Sequence, residues 1–281
     1  MTRRAAGAGG AVAPTLPLAE RELADLRRAV ALLERPGFAI RLADLLGKPL
    51  EAGLRRLPAG WQERAADASR LALEKALDLA LKTRRPGSRA SRDALHRLLA
   101  AGSGAAGGAF GLPALAVELP LSTALILRSI ADIAAAEGHD LREPEVRLQC
   151  LSVFALGGAT SGDDAAEKGY WAMRATLASA VSDAARHLAM RRAVDARAAP
   201  PLARFLLKVA QRFQVPVAQQ MAAKAVPVVG ALAGAGINLM FMQHFQDMAR
   251  GHFILRRLER SYGEAAVRAA YLEAAHGGRR R

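Results

Sequence analysis

Residues that commonly carry chemistry are scarce in this chain. It holds one cysteine, Cys150, in 281 residues, which excludes an internal disulfide and any multi-cysteine metal site. The surrounding "RLQCLSVFAL" is apolar and helical in pattern, the setting of a buried, inert thiol. Aromatic residues make up only 5%, and the basic runs are not interleaved with them. The stacking platforms of single-strand nucleic-acid binders are therefore absent, and no zinc-finger spacing occurs, so no specific nucleic acid is expected as partner. There is no G-x-x-x-x-G-K-[ST] loop and no G-x-S-x-G elbow. "GSGAAGG" has no strand before it to make a dinucleotide turn. Ser122, Ser152 and Ser161 have no evident His and Asp partners. No cofactor is called for. The arginines near the N-terminus are followed by no long apolar core, so a secretory signal is not expected and the chain is placed in the cytoplasm.

Positive charge and helix-forming residues are abundant. Forty basic against 26 acidic residues give a formal net charge of +14. That charge favours anionic partners, with the anionic face of a membrane in view, although arginine-rich composition also arises in GC-rich genomes. No segment alternates with a period of two, whereas several carry apolar residues three and four apart. Leu23, Leu26, Val30 and Leu33 line one face before Pro36-Gly37. Leu73, Leu77 and Leu81 do the same before Pro86-Gly87. Further helices are expected up to Gly138, from Pro144 to the glycines at 157 and 158, over 161–194, from Pro200 to about Gln214, and in two pieces after Gly251. The fold class is all-α: a multi-helix bundle with two glycine-rich, charge-poor central helices. Residues 1–15 read as a disordered tail, 16–275 as a single helical domain and 276–281 as a basic tail.

The two charge-poor stretches are 98–127, whose only charged residue is Glu118, and 225–246, which has none. Glycines four apart, Gly104 with Gly108 and Gly230 with Gly234, suit close helix packing. In water each also weakens a helix by about 1 kcal/mol relative to alanine. A membrane span needs about 20 apolar residues. Both stretches come near that length but contain prolines, glycines and Glu118 or Asn238. Buried central helices, peripheral insertion with arginines on anionic lipid, and full spans are all compatible with them.

Two sets of polar residues stand out. Glu118, Arg128 and Asp132 fall in an otherwise apolar helix. If that helix is central, they need partners. Arg128 could meet Glu118 or Glu259, Asp132 could meet Arg147 or Arg174, and Asn238 could bond across helices. The set reads as a buried network fixing helix register, or as a polar pocket for an anionic or headgroup ligand at Arg128. His244, Asp247 and His252 form the other set. His244 and His252 are eight residues apart, about 80° round a helix, unlike the four-residue spacing of His-Glu-x-x-His. A metal site there needs help from elsewhere. The plainer reading is the wet end of a greasy helix, with Gly251 as its break.

Several segments, in order, resemble the EcsC protein family: "LPLSTALILRSIADIAAAEG", "GYWAMRATLA" and "VPVVGALAGAGINLMFMQHFQDMARGHFILRRLERSYG". The resemblance covers roughly residues 20–275 and is most specific at the C-terminal segment. That bacterial family takes its name from a companion of an ABC-type transporter. The resemblance implies an α-helical, cytoplasm-facing and membrane-associated protein, and it supplies no mechanism. The expected function is that of a non-enzymatic accessory protein, peripheral to the inner membrane. Its expected partner is an anionic membrane surface or a membrane protein such as a transporter or secretion component. The alternatives are a hydrolase, metal-dependent through His244, Asp247 and His252, and a helical protein binding a small ligand or lipid. Oligomeric state is open.

Overall fold

A computed structural model describes residues 18–34, 41, 42, 44, 59–82, 115–157, 165–190, 200–224 and 231–278. The described chain is an all-α bundle of eight helices: α1 (Glu20–Leu33), α2 (Trp61–Lys82), α3 (Leu115–Ala136), α4 (Pro144–Leu156), α5 (Ala165–Met190), α6 (Pro200–Lys224), α7 (Ala231–Tyr262) and α8 (Glu264–Gly278).

The helix limits follow local chemistry where that chemistry is strong. α3 ends at Gly138, whose φ of +79° suits glycine. The amides of Gly138 and His139 turn back to the carbonyls of Ala135 and Ala134, both at 3.0 Å, a Schellman closure. Pro144 then occupies the first turn of α4, where its missing N–H costs nothing. Gly263, at φ +84°, separates α7 from α8.

Two expected breaks do not occur. α6 runs on through Pro216 to Lys224 instead of stopping near Gln214. An internal proline costs a helix about 3 kcal/mol, but Phe213, Val217 and Gln220 around it are fully buried, and that packing outweighs the penalty. α7 likewise passes through Gly251 as one helix of 32 residues, about 48 Å long at 1.5 Å per residue. Gly251 is a crossing point. A Cβ there would lie 2.5 Å from Leu33 Cγ and 3.2 Å from the Ala29 carbonyl oxygen. The absent side chain lets α1 lie directly on α7.

α7 is the shared wall of the bundle. α1 and α3 pack along it, and α4, α6 and α8 also touch it, while α2 bridges α3 and α6. α3 and α7 are parallel: Asn238 meets Glu118, Gln246 meets Ser129, and Arg260 reaches the Gly138 carbonyl. Their N-termini therefore lie at the same end of the molecule. α4 is apolar nearly all round and buried from Val146 to Leu156 apart from Arg147, as a central helix should be. Phe154 of α4, Phe213 of α6 and Phe241 and Phe245 of α7 pack edge-on or tilted, with centroids 4.8–6.2 Å apart. Cys150 lies in this core, and burial pushes its thiol up to about 12. Of the glycines expected to pack helices, Gly104, Gly108 and Gly230 fall outside the described residues. Gly234 lies in the first turn of α7.

Candidate functional site

The polar residues do not gather into one place. Two groups sit on α7, centred on Asn238 and Glu259, and 21 helical residues separate these by about 31 Å.

The first group links three helices near the N-terminal ends of α3 and α7. Gln220 of α6 donates to Asn238 Oδ1 at 2.6 Å, and Asn238 Nδ2 donates to Glu118 Oε1 at 2.6 Å. All three side chains are buried. Farther along the same seam Gln246 donates to Ser129 Oγ at 2.8 Å. Amide donors satisfying buried acceptors in this way fix the register of parallel helices. Gln220 and Gln246 carried no sequence signal, because their partners are 18 and 117 residues away. Arg128 is not in this group. It is exposed on α3. The pocket expected at Arg128 between the charge-poor helices is therefore corrected: Arg128 occupies the solvent side of α3. Asp132 is buried on α3, and Arg147 is half-buried on α4.

The second group lies where α5 meets the C-terminal half of α7. Arg174 grips Glu259 with both terminal nitrogens, at 2.5 and 2.6 Å. The two side chains are 12% and 5% exposed, so this is a buried, bidentate pair. Burial works against the Arg174 charge, but the Glu259 bonds outweigh it and hold the guanidinium above its ordinary value. Arg256 adds a longer bond to Glu259 at 3.4 Å and one to Glu145 of α4 at 3.0 Å. Arg257 spans Glu137 at 3.0 Å and Asp25 of α1 at 2.7 Å. Arg174 and Arg268 also stand over the Trp171 ring, 5.1 and 5.6 Å from its centroid. Next to this clamp, the Tyr170 hydroxyl and His252 Nδ1 share a hydrogen bond of 3.0 Å. Burial raises Tyr170 to about 12 and pushes His252 well below its ordinary value, with Arg174 and Arg256 adding to the depression of His252. His252 is thus neutral and held against a phenol that stays protonated.

The histidines require a second correction. His244, Asp247 and His252 are 6%, 7% and 3% exposed, so this is no wet end of a helix but its most enclosed part. His244 Nε2 bonds the Gly157 carbonyl at the end of α4 at 2.6 Å, whereas His252 turns to α5. Each is drawn to a different neighbour, and among the described residues no group of three or more His, Cys, Asp or Glu is placed to hold a metal ion. The metal set His244, Asp247, His252 is corrected accordingly. Gly157 makes the His244 contact possible. A Cβ there would come within 2.8 Å of Phe245 and 3.0 Å of His244 Nε2. His139, which the sequence did not single out, bonds the Phe253 carbonyl at 3.0 Å, and burial lowers it to about 4.

The surface tells more than these clusters. Leu121 of α3 is 52% exposed and Leu239 of α7 is 37% exposed, close to the residues joined by the Glu118–Asn238 bond. Residues 118–136 are long and apolar enough to cross a membrane, yet half of that window is buried inside the protein.

The EcsC family model matches residues 52–258, most of the chain. The chain belongs to the EcsC protein family. No curated protein and no solved structure matches it. The match to the EcsC model takes in α2 to α6 and nearly all of α7, including Arg174 and its partner region up to Leu258. α1 and α8, which both pack on α7, lie outside it.

Proposed function

We propose that this EcsC protein is a non-enzymatic accessory factor that docks on an anionic membrane surface, or on a membrane protein there, through the end of the bundle where α3 and α7 begin. The observation that carries the reading is the parallel pairing of these helices. It brings the charge-poor opening turns of both helices, before Arg128 in α3 and before Asp247 in α7, to one end of the bundle. Leu121 and Leu239 stand exposed near that end. Apolar side chains entering the headgroup region and a cationic surface attracted to anionic lipid reinforce one another, and the net charge of +14 supplies the second term. The acid–base residues of the interior support this reading by their engagement: His244 is bonded to a backbone carbonyl, and Glu259 is held between two arginines.

The test is sedimentation of the full chain with vesicles of phosphatidylglycerol or of phosphatidylcholine. Binding to the anionic vesicles at low salt, weakened at high salt and reduced in the Leu121→Glu/Leu239→Glu double variant with its thermal midpoint intact, is the expected result. A chain that stays in the supernatant with both lipids, or a double variant that pellets like the parent, overturns it.

A further inference from the structure

At the opposite end of α6 the bundle has a groove of different character. α5 and α6 are antiparallel, with Lys208 Nζ donating to the Thr176 carbonyl at 3.2 Å. Where α5 ends and α6 begins they part around an open surface groove of about 410 Å³, lined by Asp183, Arg186, His187, Met190, Pro201 and Arg204. That volume is within the range of about 300–1,000 Å³ typical of small-molecule sites. Arg204 lies sixteen helical residues before Gln220, about 24 Å away along α6, so the groove is separate from the proposed docking end.

The lining has cationic donors in excess of their partners. Arg186 spends one terminal nitrogen on Asp183, at 2.5 Å. Arg204 gives its Nε to the Pro200 carbonyl at a long 3.3 Å. An arginine has five N–H donors, so among the described residues most of those on both guanidinium groups are uncommitted. His187 is the informative member. Its Nε2 is shut off from solvent yet has no hydrogen-bond partner. A buried polar nitrogen without a partner calls for an explanation, and a ligand atom is one. The apolar lining is Met190, 83% exposed, and Pro201.

We infer that this groove binds a small phosphate-bearing organic anion, with Arg186 and Arg204 gripping the phosphate oxygens, His187 Nε2–H donating to one of them, and Met190 and Pro201 covering the organic portion. Two guanidinium forks and an imidazole match the geometry of a phosphate, and the single carboxylate, Asp183, orients Arg186 without cancelling both cations. The phosphate could belong to a soluble monoester or to a lipid headgroup, and the chemistry of recognition is the same.

The test follows the ring resonances of His187, assigned by comparison with His187→Gln, in the full-length protein. Inorganic phosphate, then glycerol 3-phosphate, is titrated at constant ionic strength against chloride. A third arm uses vesicles containing phosphatidic acid or only phosphatidylcholine. Saturable shifts at His187 with the soluble phosphates, weakened about tenfold or more in Arg186→Gln/Arg204→Gln, support the site and a soluble source. Sedimentation with phosphatidic acid vesicles alone, lost in the same double variant, supports it with a lipid source. Shifts that never saturate, or binding that the double variant retains, overturn it. The Leu121→Glu/Leu239→Glu variant should behave as the parent with the soluble phosphates, so failure of the docking reading and failure of this one are distinguishable.

Discussion

At the scale of single residues, Glu259 shows how little the sequence neighbourhood says about a charge. It lies in "FILRRLERSYG", where any of several arginines could be its partner. Its closest bonds run instead to Arg174, 85 residues earlier. With 5% of its side chain exposed, Glu259 cannot be removed without leaving a buried guanidinium uncompensated. Glu259→Ala should therefore destabilise the protein by about 3–5 kcal/mol, read as a lower urea midpoint. Asp140→Asn, which breaks an exposed pair with Arg142, should leave the midpoint nearly unchanged. Equal midpoints for the two variants would contradict the buried clamp. Asn238 and Glu118 were legible as residues needing partners because each is a polar side chain in an apolar run. Tyr170, Gln220 and His139 were not: a tyrosine, glutamine or histidine beside other polar residues looks ordinary until its distant partner is placed. The error over His244 and His252 has the same root. Local polarity suggests solvent, but depth is set by helices that join from elsewhere.

At the scale of elements, the sequence signals were good where the backbone itself decides. Gly138 closed α3 and Pro144 opened α4, because positive φ and a missing N–H are local properties. They were poor where packing decides. Pro216 and Gly251 both looked like helix ends, yet burial on neighbouring helices carries α6 and α7 through them. The glycines that pattern reading favoured are the four-residue pairs, whereas the closest approaches in the described structure occur at Gly157 and Gly251, which belong to no pattern. A crossing point is chosen by the partner helix and leaves no periodic trace. Gly251→Ala tests this. The new Cβ would meet Leu33 at 2.5 Å, and overpacking of this kind typically costs about 1–3 kcal/mol. In an isolated helix the same change would stabilise by up to about 1 kcal/mol. Net destabilisation, with faster hydrogen exchange confined mainly to α1, is the expected outcome. A more stable variant would show that α1 does not rest on α7 there.

At the scale of the whole molecule, stability should depend on pH through its buried histidines. Burial lowers His139 and His244 to about 4 and His252 well below 6.5. In the unfolded chain all three bind protons near 6.5. As pH falls below 6.5 the unfolded state takes up protons that the folded state refuses, so stability is lost on the way down to about 4 and is fully present above 6.5. Each histidine contributes at most about 1.4 kcal/mol per pH unit in that window. Urea midpoints at pH 7, 6 and 5 should fall in that order, and less steeply for His244→Gln, whose amide can still donate to the Gly157 carbonyl. A midpoint that does not move between pH 7 and 5 would mean that these rings are not enclosed as described.

The wall on which the bundle is built is also its penultimate helix. During synthesis α1, α3, α4 and α6 emerge before the wall they share exists, and at about 5–20 residues per second the first of them waits roughly 10–45 seconds for α7 to follow. For that interval the apolar face of α1, and the sides of α3 and α4 that will meet α7, lack their cover. The nascent chain is thus a long-lived client for whatever shields greasy helices at the ribosome, and its yield in the cell should be governed by that shielding as much as by the stability of the finished fold.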